Sequence, residues 1–535
     1  MSSKSKVAPA KSGASASNSN GAKSTANNAG KTANSVASES ATAGKAGAAT
    51  SMKAWLATNA KLAGIVGGVV GGCLVVAIVV ALAVVLSRGG DNFPNSFNYT
   101  EVIHKSLLFY EAQRSGALPS DNRIPYRGDS ALNDSGRNGE DLTGGYYDAG
   151  DHIKAVFPMA WSFGVLSWGF LEFRDAYEDA GEVSYMLDCI RWGTDFLMKV
   201  HTDDYELYTQ IADKDLDHGY WGRPEDMTME RPAYQVNTSV PGSDVAGDTS
   251  AALAAASIVF RDHDPDYADL LLNESRVLFD FADNYRGYFR ECLPDGKGIY
   301  VSGSNYHDEI AWAAIWLYKA TGESYYLNRS EDIYVNMTNG RPWAFGWSIA
   351  DAGVHLLLYN VTGKAEYEKR VTKFVDEWLP GGKMARTPKG LVFRNNWGSL
   401  LYLAGTAFIA LVAAENNLNS ESYRELAKSQ VHYALGSTGR SFVCGFGENP
   451  PVQPHHRSSS CPLPPDPCTF GQTFSVDQPN AHVLYGALVG GPGANDDYED
   501  DRQDYYKNEV TLDYNAGFQS AVAGLLHLEL TDQLP

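Results

Sequence analysis

Positive charge is in short supply: 43 Lys and Arg stand against 64 Asp and Glu, a formal net charge of −21. Position sharpens the deficit. Residues 1–61 hold eight lysines (Lys4, Lys6, Lys11, Lys23, Lys31, Lys45, Lys53, Lys61) and one acid, Glu39, a net +7, so the remainder carries −28. An acidic body of this kind repels phosphate backbones, which argues against nucleic acid as a partner and leaves neutral polymers acceptable. Long strand signals are few, and no repeat of about 20–50 residues is visible. Large apolar groups are almost missing from residues 1–50, which are Ala, Ser, Asn, Gly, Thr and Lys. Such a stretch buries too little surface to offset its ordering entropy and reads as disordered. Charge is missing altogether from Leu62 to Leu86. At the helical rise that run reaches ~37 Å, enough to cross a hydrocarbon core of ~30 Å with some tilt.

What is present then divides the chain. The apolar run lies too far in and is too long for a cleaved signal peptide, so it reads as a signal-anchor. Lys53 and Lys61 flank its N-terminal side, which places the tail in the cytosol and the rest outside or in a lumen. The expected organisation is a basic tail at 1–61, a transmembrane helix at 62–86, a linker at 87–96 and a large domain at 97–535. Seven Asn-x-Ser/Thr sequons, at Asn98, Asn133, Asn237, Asn273, Asn328, Asn336 and Asn360, all follow the apolar run. That segregation suits a glycosylated, extracytosolic domain. Of six cysteines, Cys73 falls in the apolar run and five lie beyond it, an odd number that leaves at least one thiol unpaired or paired between chains. Cys461 and Cys468 flank a Pro-rich loop and could close it in an oxidising compartment. Gly67, Gly68, Gly71 and Gly72 form small-xxx-small pairs that would allow a helix-mediated dimer, although glycine is common in transmembrane helices.

The large domain reads as all-α. Met159–Asp175, Ala246–Phe260, Glu309–Thr321, Leu400–Glu415 and Asn515–Leu530 carry apolar residues at helical spacing, among roughly ten or eleven such segments. Aromatics make up 12% of the chain, with 11 Trp and 30 Tyr, which suits either stacking on sugar rings or an aromatic-rich core.

Three stretches concentrate chemistry. In Gly144–Asp151 (GGYYDAGD), Asp148 and Asp151 can converge, and Gly150 removes side-chain bulk between them. One carboxylate could hold a water and the other take its proton; an Asp-rich turn or a calcium loop is the plain alternative. In Ser441–Ser460, the His455-His456-Arg457 triplet sits in a Gly- and Pro-rich loop and could donate hydrogen bonds to hydroxyls. Paired His could also bind a metal, but no Cys or carboxylate stands nearby at a familiar ligand spacing. In Asp500–Glu509 (DDRQDYYKNE), crowded carboxylates raise one another's pKa, and a carboxylic acid kept protonated near neutral pH is what a general acid needs. A solvated acidic loop is the usual reading of such a run taken singly.

In this order the stretches resemble the glycoside hydrolase family 9 cellulases. Around them lie Ser106–Gly116, Arg127–Ala131, Trp221–Met227, Pro241–Ala246 and Trp397–Leu400, so that the resemblance covers nearly all of 97–530. The wording of GSTGRSFV and PHHRSSSCP is most like the animal and bacterial branch. The resemblance implies an (α/α)6 barrel with an open cleft that hydrolyses internal β-1,4-glucosidic bonds with inversion. It implies Asp151 as general base with Asp148 holding the water, Glu509 as general acid, Asp500 as a supporting carboxylate, and His455 and Arg457 in contact with substrate beside His456. Trp397 and Tyr505 are counted with the substrate-binding residues. No catalytic cofactor is implied; a structural calcium is open, with ligands the sequence does not identify.

Leu401 stands where the family often has Arg, and Ala155 where Phe is common; either could alter substrate fit. No carbohydrate-binding module follows the domain, which favours soluble, amorphous or nascent glucan over crystalline cellulose. A tethered glucan-binding protein without catalysis is the rival from another class, but Asp151 and Glu509 are both present. Polysaccharide lyases and α-glucosidic hydrolases also use helical toroids.

Overall fold

The computed structural model describes residues 96–294, 296, 298–300, 305–335 and 342–535. The tail, the apolar run with its glycine pairs, and all of the linker but Ser96 lie outside these residues. Among the described residues no helix is long and apolar enough to cross a membrane.

Among the described residues twelve long helices alternate between two kinds. The first kind is α1 (Tyr99–Gln113), α3 (Val183–Lys199), α5 (Pro265–Asn284), α7 (Ser324–Tyr334), α9 (Ala365–Asp376) and α11 (Ser420–Leu435). The second is α2 (Val156–Glu172), α4 (Ser243–Phe260), α6 (His307–Thr321), α8 (Asp351–Thr362), α10 (Ser399–Glu415) and α12 (Leu512–Leu530). Helices of the second kind are buried nearly all round, as in α2 from Val156 to Phe170. A helix apolar on every side must be surrounded by protein. Each touches the next, α2 to α4 to α6 to α8 to α10 to α12 and back to α2, so they close into an inner ring. Helices of the first kind bury one stripe. In α5 that stripe is Tyr267, Ala268, Leu271, Ser275, Leu278, Phe279 and Ala282. Its start is set by Asp264, which accepts from the Tyr267 N–H at 3.2 Å, and by Pro265 in the first turn, where a missing N–H costs nothing. The result is six outer and six inner helices, the (α/α)6 arrangement.

The inner ring packs closely. Backbones of α10 and α12 approach so nearly that a Cβ on Gly517 would lie 2.9 Å from the Gly405 nitrogen. The space inside is filled by rings: Trp168 meets Trp312 at 5.5 Å and Phe408 at 5.0 Å between centroids. Trp161, Trp168, Trp312, Trp316 and Trp378 are all fully buried, so much of the tryptophan content belongs to the core.

Connections are asymmetric. From inner to outer helix they are mostly short, as at 322–323 and 363–364. From outer to inner helix they are long: 114–155, 200–242, 285–306, 335–350, 377–398 and 436–511. The long loops therefore gather at the N-terminal ends of the inner helices, and every motif singled out for chemistry lies in one of them or in the first turn that follows. One feature departs from the all-α expectation: a small antiparallel sheet of β1 (Lys154–Ala155), β2 (His201–Asp203), β3 (Glu206–Ile211) and β4 (Ala233–Val236), with β3 pairing all the others. Its strands are too short to give an alternating signal. Leu401 and Ala155 are both buried.

Candidate active site

Three stretches from the connections 114–155 and 436–511 are braided at the mouth of the ring. The Arg457 N–H donates to the Gly150 carbonyl (3.0 Å), the His455 N–H to the Asn508 carbonyl (2.8 Å) and the Leu512 N–H to the Asp148 carbonyl (2.9 Å). His455 and Glu509 form a parallel β-bridge. Gly150 has no side chain because none fits: a Cβ there would run into the His455 carbonyl. Gln113 at the end of α1 holds the first loop from behind, donating to the carbonyls of Tyr147 (3.2 Å) and Ala149 (2.7 Å). Segments remote in sequence thus deliver Asp148, Asp151, His455 and Glu509 to one place.

The carboxyl groups there are sorted by their partners. Burial pushes Glu509 up to about 8, and the nearby charge of Asp151 adds to the shift, against a 3.3 Å hydrogen bond donated by the Trp397 indole. Asp148 is also pushed well up, first by burial and then by Asp513; Tyr300 donates to its Oδ2 at 2.6 Å, while its Oδ1 is buried without a partner. Asp151 goes the other way. Burial disfavours its charge, but the hydrogen bond to His218 Nε2 (3.0 Å), the Arg457 guanidinium and the Ile153 N–H outweigh it, and its pKa falls below the usual carboxylate value. His218 is raised in return, chiefly by that hydrogen bond.

The His-His-Arg triplet divides its work. His455 Nδ1 lies 2.7 Å from the Arg502 carbonyl. A carbonyl only accepts, so Nδ1 carries the hydrogen and Nε2 is left as an acceptor. Burial holds the ring neutral by lowering its pKa to about 4. The expectation that His455 donates to a hydroxyl is corrected: in this tautomer its free nitrogen accepts. His456 is buried, with Nε2 2.8 Å from Gln113 Oε1 and Nδ1 accepting from the Ser459 N–H at 3.1 Å. It caps the short helix Arg457–Ser460 and ties it to α1, so both of its ring nitrogens bond within the protein. The two imidazoles face different partners rather than a shared centre. Arg457 is buried and paired with Asp217 at 2.5 Å, acting on Asp151 through its charge. Asp500 accepts from the backbone N–H groups of Val452 (2.7 Å) and Gln453 (3.0 Å), which fixes the loop that carries His455. Trp397 and Tyr505 are exposed, 42% and 40%, and their rings lie 5.4 Å apart beside Glu509.

Sequence reading missed four residues. Asp217 and His218 end the short helix Lys214–His218, directly before the Trp221–Met227 motif, and a Asp-His pair at that position was the available signal. The ligand atoms of Asp151, Asp217 and His218 lie within 4.8 Å of one another, but Arg457 and the imidazole already balance both carboxylates. Tyr300 had no signal beyond its aromatic type. Asp513, raised to about 6 mainly by burial, lies in the first turn of α12, four residues after the last motif ends at Glu509.

Comparison with known proteins agrees with this architecture. The sequence model of glycosyl hydrolase family 9 matches residues 99–522. Endoglucanase B of Cellulomonas fimi is 43% identical over 447 residues, 81% of this chain; the chain spans 42% of that protein's length. The solved endoglucanase of the termite Nasutitermes takasagoensis superposes with a TM-score of 0.79 at 51% identity, covering 81% of this chain and 100% of that one. The cellulase Cel9M of C. cellulolyticum, solved with cellobiose, gives 0.75 at 33% identity over 81% of this chain and 99% of its own. The chain belongs to glycosyl hydrolase family 9. Its described domain is an endoglucanase domain of that family, with the helical barrel the family's structures share.

Proposed function

We propose that the domain hydrolyses internal β-1,4-glucosidic bonds of a β-glucan with inversion, using Asp151 as base and Glu509 as acid. The observation that carries this reading is the electrostatic sorting of the carboxyl groups. An inverting hydrolase needs one carboxylate ionised to activate water and one carboxylic acid protonated to donate to the leaving oxygen. Asp151 is held ionised by His218 and Arg457, and Glu509 is held protonated by burial and by Asp151 itself. Asp148, pushed towards its neutral form, is the poorer base three residues away; with Tyr300 it orients the water. His455 Nε2 accepts from a sugar hydroxyl, and Trp397 and Tyr505 offer ring faces beside the acid. In this reading Trp397 also holds the Glu509 carboxyl in aim through its indole N–H.

Proton NMR of cellopentaose cleavage tests the mechanism. The first-formed new reducing end is expected as the α-anomer; initial β-anomer overturns inversion and points to a nucleophile.

The sequence supports a type II membrane-anchored form, tail in the cytosol and domain outside or in a lumen, through the apolar run at 62–86. Exposure of the sequon asparagines Asn98, Asn133, Asn273, Asn328 and Asn360 supports a glycosylated domain. Protease protection of the domain in sealed microsomes, with the tail cleaved, tests both. A structural divalent cation is also proposed. Asp308, Glu309 and Asp351, with Asp248 beside them, are buried carboxylates whose oxygens include Asp308 Oδ1 and both of Glu309 without a partner. Their pKa values are raised, first by burial. Hard oxygen donors of this kind fit calcium, which would neutralise them and fix the N-terminal turns of α6 and α8.

A further inference from the structure

The loop from Pro462 to Gln478 is unused by the mechanism above, yet it is held with unusual care. A disulfide joins Cys461 to Cys468 and closes its first half. Arg223, itself buried, donates from Nε to the Pro462 carbonyl at 2.8 Å and from Nη2 to the carbonyls of Pro462 and Asp466. Arg502 donates to the carbonyls of Thr473 (2.7 Å), Val476 (3.0 Å) and Gln478 (2.7 Å). Its own carbonyl is the acceptor for His455 Nδ1. One arginine therefore couples the loop to the candidate site.

At the centre of this loop Phe470–Phe474 forms a single π-helical turn, an element seen frequently at functional positions. Phe474 packs on Trp221 with centroids 4.6 Å apart, and Trp221 meets the His455 ring at 5.3 Å. Trp221 is buried, and its indole donates to Ser460 Oγ at 3.1 Å, so it acts as a backing. Phe470 sits on the outside of this stack, 5.9 Å from Trp221 and 5.5 Å from Phe474, and is 38% exposed. A single exposed phenylalanine is ordinary. Here the ring is anchored from behind and cannot fold away, and the rings behind it lead to His455. On the other side of His455, Tyr505 (6.0 Å) and Trp397 continue the series past Glu509.

We propose that Phe470 is a stacking platform for a glucosyl unit of the substrate, on the arm of the cleft beyond His455. A pyranose ring has an apolar C–H face that suits a flat, immobile aromatic, and a pinned loop loses little entropy when it binds. Phe470 thus sets how far the bound chain extends from the cleavage point. The inference rests on the glucan-hydrolase reading above, and the test separates the two. Initial rates on cellotriose through cellohexaose are measured for wild type, Phe470→Ala and Phe470→Tyr, with melting temperatures recorded in parallel. In Phe470→Ala the ratio of kcat/KM for cellohexaose to that for cellotriose should fall by about three- to tenfold, mostly through KM. Phe470→Tyr, which keeps the flat face, should restore it. Wild-type turnover with the same length dependence in Phe470→Ala overturns the platform and leaves the hydrolase reading intact. No reducing ends from any length with wild type overturns the hydrolase reading itself.

Discussion

The acid role proposed for Glu509 depends on its staying protonated near neutral pH, and Trp397 gives a way to tune that. At an ordinary glutamic acid pKa of about 4.5, roughly one carboxyl in 300 would hold its proton at pH 7; at about 8, about nine in ten would. The indole N–H of Trp397 works against this shift, because a donor to the carboxyl oxygen favours the charged form. Trp397→Phe removes the donor and keeps most of the ring. A hydrogen bond to a charged group contributes roughly 1.5–3 kcal/mol, and at 3.3 Å this one is long, so a shift of about half to one pKa unit is expected. The sign follows from the loss: the carboxylate form is destabilised, the pKa rises, and the alkaline limb of kcat/KM moves up from about 8. Initial rates on carboxymethylcellulose across the alkaline range measure it. A limb that stays put or moves down in Trp397→Phe refutes the electrostatic account of Glu509. So does a wild-type limb near the ordinary carboxylate range.

Glu509→Gln should lower turnover of an unactivated glucan by roughly 10²–10⁴-fold while leaving binding in place, measured by single-turnover kinetics and calorimetry. Gly150→Ala should cost both activity and folding stability, since the new Cβ meets the His455 carbonyl; circular dichroism melting and an endoglucanase assay read the two. His456→Ala should lower the melting temperature more than it raises KM, because both ring nitrogens bond within the protein; a KM change with unchanged melting would return His456 to the substrate side. Calcium at a hundred times its dissociation constant should stabilise the domain by about 2.7 kcal/mol, lost on chelation, and Glu309→Gln should weaken the response.

The helical class was legible because the segments obey a simple periodicity, whereas the (α/α)6 barrel was implied by the family resemblance. The structure adds that helices such as α2 and α10 are buried on all sides and alternate with one-striped helices such as α5, which gives the two rings. The sheet was not legible, because strands like Lys154–Ala155 are too short for any alternation to register. At the site, Asp148, Asp151 and Glu509 stand in motifs with paired carboxylates and could be named. His218 and Tyr300 reach the same place from other loops, and nothing local marks a residue whose importance lies in what folds against it. At His456, adjacency to His455 suggested a shared task, while extended backbone turns the two consecutive side chains to different sides.

That division explains how two nearly identical groups acquire opposite protonation states in one small volume. Asp151 and Glu509 are both carboxylates drawn from water by the same loops, so burial alone would neutralise both. The difference is made by positive charge and donors on one side only. His218 and Arg457 act on Asp151, and Arg457 is kept in place by Asp217, which is itself buried at the end of a short helix. Once Asp151 is ionised, its charge helps hold the proton on Glu509. In the proposed mechanism the base therefore sustains the acid, and removing Asp151 should disarm both. In Asp151→Asn, burial still raises Glu509 but the neighbouring charge is gone, so its pKa should fall below about 8. Infrared titration of the carboxyl band in the mutant, against Asp151→Asn with Glu509→Gln as the blank, reads that pKa without any need for turnover. A Glu509 pKa that rises or stays level in Asp151→Asn would break the proposed coupling and leave burial alone to account for the acid.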